Sequence, residues 1–271
     1  MNITWMGTAT FAVESKGQRI LFDPYMELQG GDVPGDLDKL KTYDTVFVTH
    51  CHFDHLSLMP ELLEDKNATL FCTGQCCETL EGFLDDCSNI VQVEAGRSYR
   101  LTLPRDDKTA SASDGSITID VIRGRHIDFK LRYAPQTLSL WRMLRYAPNL
   151  PYLIWANKTF RENGEIVAYQ IHAEGRRIMI LGSLALDDNT EYPHDMDVLV
   201  LPYQGNNDLP ACAREVLSRL RPRSVVLSHF DNSFPPMSRN VDLRPLRKLM
   251  EEEFPLIKVV KPTPFKEIQI L

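Results

Sequence analysis

Thr49-His50-Cys51-His52-Phe53-Asp54-His55 places three imidazoles and a carboxylate within six residues, directly behind the apolar run Thr45-Val46-Phe47-Val48. A short β-branched and aromatic run of this kind reads as a buried strand, and the polar stretch after it as the loop at the strand's end. Imidazole nitrogen and carboxylate oxygen are the usual ligands of Zn²⁺ and also suit Mn²⁺ or Fe²⁺. In a loop, residues i and i+2 can converge on one ion, and the Asp-His pair that follows can turn toward a second. Histidines scattered by chance along a polar loop do not give this clustering.

Two further histidines occupy similar positions. His126 follows the alternating strand pattern of residues 116–122, and His229 follows the run 225–228 immediately. Ligands delivered from the ends of several strands onto one edge are how a scaffold builds a rigid site. His172, at the end of a predicted strand, reads as structural, and His194, in a polar loop, as solvated.

Outward from this loop the chain reads as mixed α/β with two sheets and peripheral helices. Strands are expected near 3–6, 10–13 and 19–22, with Lys16-Gly17 as a hairpin turn. Others are expected near 89–93, 116–122, 166–171, 177–181, 198–201, 225–228, 258–260 and 268–270, with a second hairpin at Glu174-Gly175. Helical patterns cover 76–84, 210–220 and 242–254.

The chain has 271 residues, 43% hydrophobic and 25% charged, which excludes disordered and fibrous classes. A formal net charge of −7 argues against a nucleic-acid partner. The start of the chain shows no signal-peptide pattern, and no apolar run is long enough to span a membrane. Six cysteines in a chain of this length are not a disulfide framework. Cys72, Cys76, Cys77 and Cys87 are poorly spaced for a zinc knuckle, so the thiols read as reduced and partly buried in a cytoplasmic protein. Residues 121–160 break the pattern, with seven Lys/Arg against one acid. We treat about 127–165 as an insertion in one metal-binding domain covering 1–271, with one short helix over 137–146. It either packs by its aromatic rings or forms a lid that offers rings and cations to a ligand. Contact with a membrane surface through Trp141 and Trp155 is a lesser reading.

The 49–55 stretch matches the HxHxDH motif of the metallo-β-lactamase superfamily. The opening Ile3-Thr4-Trp5-Met6-Gly7-Thr8-Ala9-Thr10-Phe11 with Ile20-Leu21-Phe22-Asp23-Pro24, and the later Ser228-His229-Phe230-Asp231, resemble the branch of ascorbate-6-phosphate lactonases and related metal-dependent hydrolases. The resemblance covers about 1–126 and 166–236. It implies an αββα four-layer sandwich. It also implies one metal on His50, His52 and His126, and a second on Asp54, His55 and His229. One departure matters. Where the family carries Gly-Asp-Thr, with an aspartate bridging both metals, this chain reads Gly182-Ser183-Leu184. A serine hydroxyl is a poor substitute, so the second ion is the one expected to suffer. Asp187, Asp188 and, more weakly, Asp231 are the candidate replacements. Thr8 stands where relatives often have histidine. Asp23 and Asp44 are candidates to orient ligand imidazoles by accepting their N–H bonds.

Together these readings predict metal-assisted hydrolysis with one or two Zn²⁺ or Mn²⁺ ions. A metal lowers the pKa of its water to near 7 and so supplies hydroxide at neutral pH. Asp54 is the candidate catalytic residue that holds the nucleophile and accepts its proton. The expected substrate is an ester, lactone or phosphodiester of a small anionic molecule. Arg123, Arg125 and Arg132 are its candidate anion binders. The alternative is a metal-binding sensor or partner-binding module with little catalysis, because Ser183 replaces the bridging acid. Sequence leaves the oligomeric state open.

Overall fold

Strands β1 (Asn2–Trp5), β2 (Phe11–Ser15) and β3 (Gln18–Phe22) form an antiparallel meander. The β2–β3 turn is Lys16-Gly17, with φ of 48° and 83°. Two positive φ values are what a tight hairpin with strand-compatible twist needs, and glycine supplies the second without strain. The computed structural model describes residues 1–64, 68–102, 116–127 and 139–270.

Beyond β3 the sheet continues in parallel through β4 (Thr45–Phe47), β5 (Thr69–Cys72) and β6 (Ile90–Gln92). The last strand of the chain, β14 (Glu267–Gln269), pairs with β1 at the opposite edge. The second sheet holds β7 (Ser98–Leu101), β8 (Ile117–Arg123), β9 (Val167–Ala173), β10 (Arg176–Ile180), β11 (Val198–Pro202), β12 (Ser224–Ser228) and β13 (Lys258–Val260), in reverse spatial order from β13 to β7. The expected hairpin between β9 and β10 turns at Glu174-Gly175, again with two positive φ values.

Alternation along the strands fixes the layers. Phe22, Phe47 and Phe71 face the second sheet, where Phe47 stacks on Phe71 at 4.4 Å and meets the Tyr169 ring at 5.1 Å. Their neighbours Leu21, Val46, Val48, Leu70 and Cys72 point the other way, into a separate outer core. That core is covered by the short helices α1 (Leu37–Leu40), α2 (Phe53–Leu56), α3 (Met59–Leu63) and α4 (Gly74–Leu80). On the far face of the second sheet lie α7 (Leu209–Leu220) and α8 (Arg244–Glu253). Helix α7 buries Ala213, Val216, Leu217 and Leu220, the i, i+3, i+4, i+7 stripe of a half-buried helix. Asp208 accepts from Ala211 N to cap it. The result is the expected αββα sandwich.

The insertion departs from expectation. Residues 128–138, including Arg132, lie outside the described residues. The expected single helix is α5 (Leu140–Arg145), and a second one, α6 (Leu150–Thr159), follows after a 3₁₀ turn. Pro151 signals a break to a sequence reader, but it sits in the first turn of α6, where its missing N–H costs nothing. Ala156 and Phe160 are buried in the outer core, whereas Leu140, Trp141 and Leu144 are exposed. No described helix is long and apolar enough to cross a membrane.

Candidate metal centre

Strand direction explains why distant residues meet. β3 and β4 run parallel in one sheet; β8, β10, β11 and β12 share one direction in the other. The segments just after their C-terminal ends carry Asp23, the 50–55 loop, His126, Ser183, Gln204 and His229 in turn. Ligand sites of α/β proteins lie at such carboxyl ends.

Two groups of ligand atoms result, His50 with His52 and His126, and Asp54 with His55 and His229, each within 4.8 Å. His50 Nε2 faces His52 Nδ1 at 3.1 Å. In the second group His229 Nε2 lies 3.3 Å from His55 Nε2 and 3.5 Å from Asp54 Oδ2. Donors around a tetrahedral ion with bonds of about 2.0–2.1 Å stand roughly 3.3–3.4 Å apart, so the spacing fits a shared cation.

The outer nitrogens are held as well. His55 Nδ1 meets Asp23 Oδ2 at 3.0 Å, and the same carboxylate accepts from Thr49 N (2.7 Å) and Thr49 Oγ1 (2.9 Å). Thr49 Oγ1 also touches His50 Nδ1 at 3.0 Å. His126 Nδ1 faces Ile127 O at 2.8 Å, and His229 Nδ1 faces Gln204 Oε1 at 3.4 Å. Such partners fix each tautomer and aim the remaining lone pair inward. Thr8, Asp23 and His229 all adopt positive φ, a strained state for residues other than glycine. Thr8 O accepts from His229 N, so Thr8 anchors a candidate ligand through its backbone.

Burial and proximity set the charges. Burial, then the neighbouring imidazoles, hold His50 well below its usual value. Burial brings His52 down to about 4 and also lowers His229. Burial opposes the charge on His55, but Asp23 and Asp54 outweigh it and raise its pKa. Asp54 goes the other way: burial raises it, and His55, His229 and His52 more than offset that, leaving it ionised.

The structure corrects several expectations. Asp44 is exposed at the opposite end of β4 and bonds Thr45 Oγ1, so of these two candidates Asp23 alone meets a ligand imidazole. Asp187 accepts from Asn189 N and Thr190 Oγ1, and Asp188 pairs with Arg125 at 3.0 Å, so neither reaches the triads. Asp231 accepts from Thr8 N and Ser233 Oγ. Ser183 Oγ accepts from Ile127 N and thereby positions the segment carrying His126. Among the described residues no carboxylate belongs to both triads.

The triads open onto a cavity of about 550 Å³, with Leu184, Leu209, Phe234 and Val241 among its walls. Arg123 and Arg125 do not line it, and no described residue of 139–165 does, which removes the described helices as a lid. No disulfide joins the six cysteines, and none of them belongs to a metal-binding group. Sequence reading missed Gln204 and Arg239. Gln204 carried one signal, a polar residue two places beyond the apolar strand β11; Arg239, in an irregular loop, carried none.

A family model described as a beta-lactamase superfamily domain matches residues 2–229. A UPF0173 protein of Pyrococcus abyssi is 30% identical over 101 residues, 37% of this chain; the chain spans only 44% of that relative's length. A UPF0173 metal-dependent hydrolase of Opitutus terrae is 25% identical over 237 residues, 86% of each chain. Among solved structures, the metallo hydrolase Igni18 of Ignicoccus hospitalis superposes with a TM-score of 0.63 at 19% identity, over 98% of this chain and 97% of that one. The matched region holds all six residues of the two triads, and this chain belongs to the metallo-β-lactamase superfamily.

Proposed function

We propose that this chain is a metal-dependent hydrolase acting on an ester, lactone or phosphodiester of a small anionic molecule. The observation that carries the reading is the pair of donor triads opening on one cavity with largely apolar walls. The mixed nitrogen and oxygen donors favour Zn²⁺ or Mn²⁺. His50, His52 and His126 would hold one ion, and Asp54, His55 and His229 the second. When bound, the metal supplies Lewis acidity and an acidified water. The chain itself would supply the base: Asp54, kept ionised among imidazoles, would accept the proton of the attacking water at the carboxylate oxygen not turned toward His229. Leu184, Leu209, Phe234 and Val241 exclude bulk water and receive the apolar part of the substrate. The name of the Opitutus terrae relative supports hydrolysis. Six cysteines without a disulfide suit a reducing cytoplasm.

The lack of a shared carboxylate favours one competing reading, a metal-binding sensor with little turnover. Metal content and turnover separate the two. The hydrolase reading expects hydrolysis of a lactone or para-nitrophenyl phosphodiester panel, abolished by chelation and restored by Zn²⁺ or Mn²⁺. Turnover indifferent to chelation refutes the metal mechanism. Full metal occupancy without turnover of any panel member selects the sensor.

A further inference from the structure

Among the described residues lining the cavity, Arg239 carries the only arginine or lysine charge. Nearby cations are engaged: Arg244 with Asp242 at 2.7 Å, Arg125 with Asp188 at 3.0 Å, and Arg142 with the carbonyls of Pro236 and Ser238. Arg239 pairs with no carboxylate of the described chain, and its Nε is buried without a hydrogen-bond partner. Arg239 as a residue is half-buried, and a buried donor left unpaired is destabilising until an acceptor reaches it.

The backbone, rather than the guanidinium's own contacts, puts Arg239 there. Gln204 Nε2 donates to Arg239 O at 3.3 Å, while Gln204 Oε1 faces His229 Nδ1 at 3.4 Å. One amide thus ties the Arg239 loop to a member of the metal triads. Arg142, from insertion helix α5, donates to Ser238 O at 2.7 Å, and Phe234 N donates to Ser238 Oγ at 2.7 Å. The loop is therefore set before any ligand arrives, as a specificity site requires.

We infer that Arg239 receives a carboxylate of the substrate, so that the substrate is an acid-bearing ester or lactone. This inference rests on the hydrolase reading for the reaction but not for the binding. A guanidinium presents parallel N–H donors that match a carboxylate. Phe234, Met237, Val241 and Pro245 share the cavity with it and offer no charge. One cation there balances one negative charge. A phosphate dianion carries a second charge, and no other arginine or lysine of the described lining stands ready to meet it. The cavity volume equals that of a sphere roughly 10 Å across, so the carboxylate and the scissile bond are separated by a short apolar spacer.

The test uses metal-loaded protein, with Arg239→Gln and Arg239→Lys checked for folding and metal content. In the kinetic arm, the mono-para-nitrophenyl ester of glutaric acid is compared with para-nitrophenyl butyrate. The wild type is expected to favour the acidic ester by about tenfold or more in kcat/KM. Arg239→Gln loses that preference through KM, Arg239→Lys retains part, and the neutral ester is unchanged. Equal losses on both esters, or a preference that survives in Arg239→Gln, overturn the inference. In the binding arm, calorimetry compares phenylbutyrate, phenylbutyramide and phenyl phosphate. The carboxylate is expected to weaken about tenfold or more in Arg239→Gln, with the amide unmoved. Unchanged carboxylate binding overturns the inference, and so does Arg239-dependent phenyl phosphate binding tighter than the carboxylate. If neither ester is hydrolysed, the assignment of an ester as the scissile group fails and the binding arm alone decides Arg239.

Discussion

Asp23→Asn replaces one oxygen of a buried carboxylate, 1% exposed, by an N–H donor with almost no change in shape. The native carboxylate accepts three bonds, from Thr49 N, Thr49 Oγ1 and His55 Nδ1. The asparagine oxygen must stay on Thr49 N, whose donor cannot adapt, so the new N–H₂ faces Thr49 Oγ1 and His55 Nδ1. The Thr49 hydroxyl can turn and accept. His55 can accept only by moving its proton to Nε2, the atom that faces His229 Nε2. That tautomer removes the lone pair aimed at the metal. Loss of such an outer partner lowers metal affinity about 10- to 100-fold, or roughly 1.4–2.7 kcal/mol. The loss should fall on the Asp54–His55–His229 triad and leave the His50–His52–His126 triad within about threefold. Competition titrations with a chromophoric chelator resolve the two affinities, and imidazole nitrogen NMR reports the His55 tautomer. Unchanged affinity at the Asp54 triad, or an equal fall at both triads, refutes the reasoning.

Gly182→Ala places a Cβ 2.6 Å from Thr49 Oγ1 and 3.3 Å from His50 Nδ1. Overpacking of that kind costs about 1–3 kcal/mol, read by denaturant unfolding, and should weaken the His50 triad; wild-type stability would contradict it. Ser183→Ala strips the acceptor from buried Ile127 N and should cost about 1–3 kcal/mol while lowering metal affinity on the His126 side. An effect confined to the Asp54 triad would instead mean that Ser183 acts on that ion. Glu27 is raised from 4.5 to about 10 by burial and by its hydrogen bond to Asp231. The folded state keeps a proton that the unfolded chain releases above about 4.5, so this group makes stability fall as pH climbs from there toward 10. Glu27→Gln removes the titration, and its advantage in thermal unfolding should widen with pH; a constant difference would contradict the assignment.

The metal loop was readable because its donors are neighbours in sequence, and His126 and His229 because each stands just past a recognisable strand. Asp44 was misread for a geometric reason. It precedes β4 whereas His50 follows it, and a strand rising about 3.3 Å per residue separates the two ends by well over 10 Å. Arg123 and Arg125 share a segment with His126 but do not line the cavity, and Arg125 pairs with Asp188. Gln204 and Arg239 belong to loops whose approach is decided by the packing of the second sheet, which local pattern does not encode. Helix α6 was hidden by prolines that mark its start rather than a break. The two hairpins were legible because Lys16-Gly17 and Glu174-Gly175 need positive φ, and glycine announces it.

Convergence of three separate chain segments on shared ions is tested most directly by anomalous diffraction at the zinc or manganese edge from metal-loaded crystals. The expected result is one peak about 2.0–2.2 Å from donor nitrogens of His50, His52 and His126, and a second, more weakly occupied, at Asp54, His55 and His229. An ion held by the 50–55 loop alone, with His126 and His229 turned away from it, would contradict the metal centre and the hydrolase built on it.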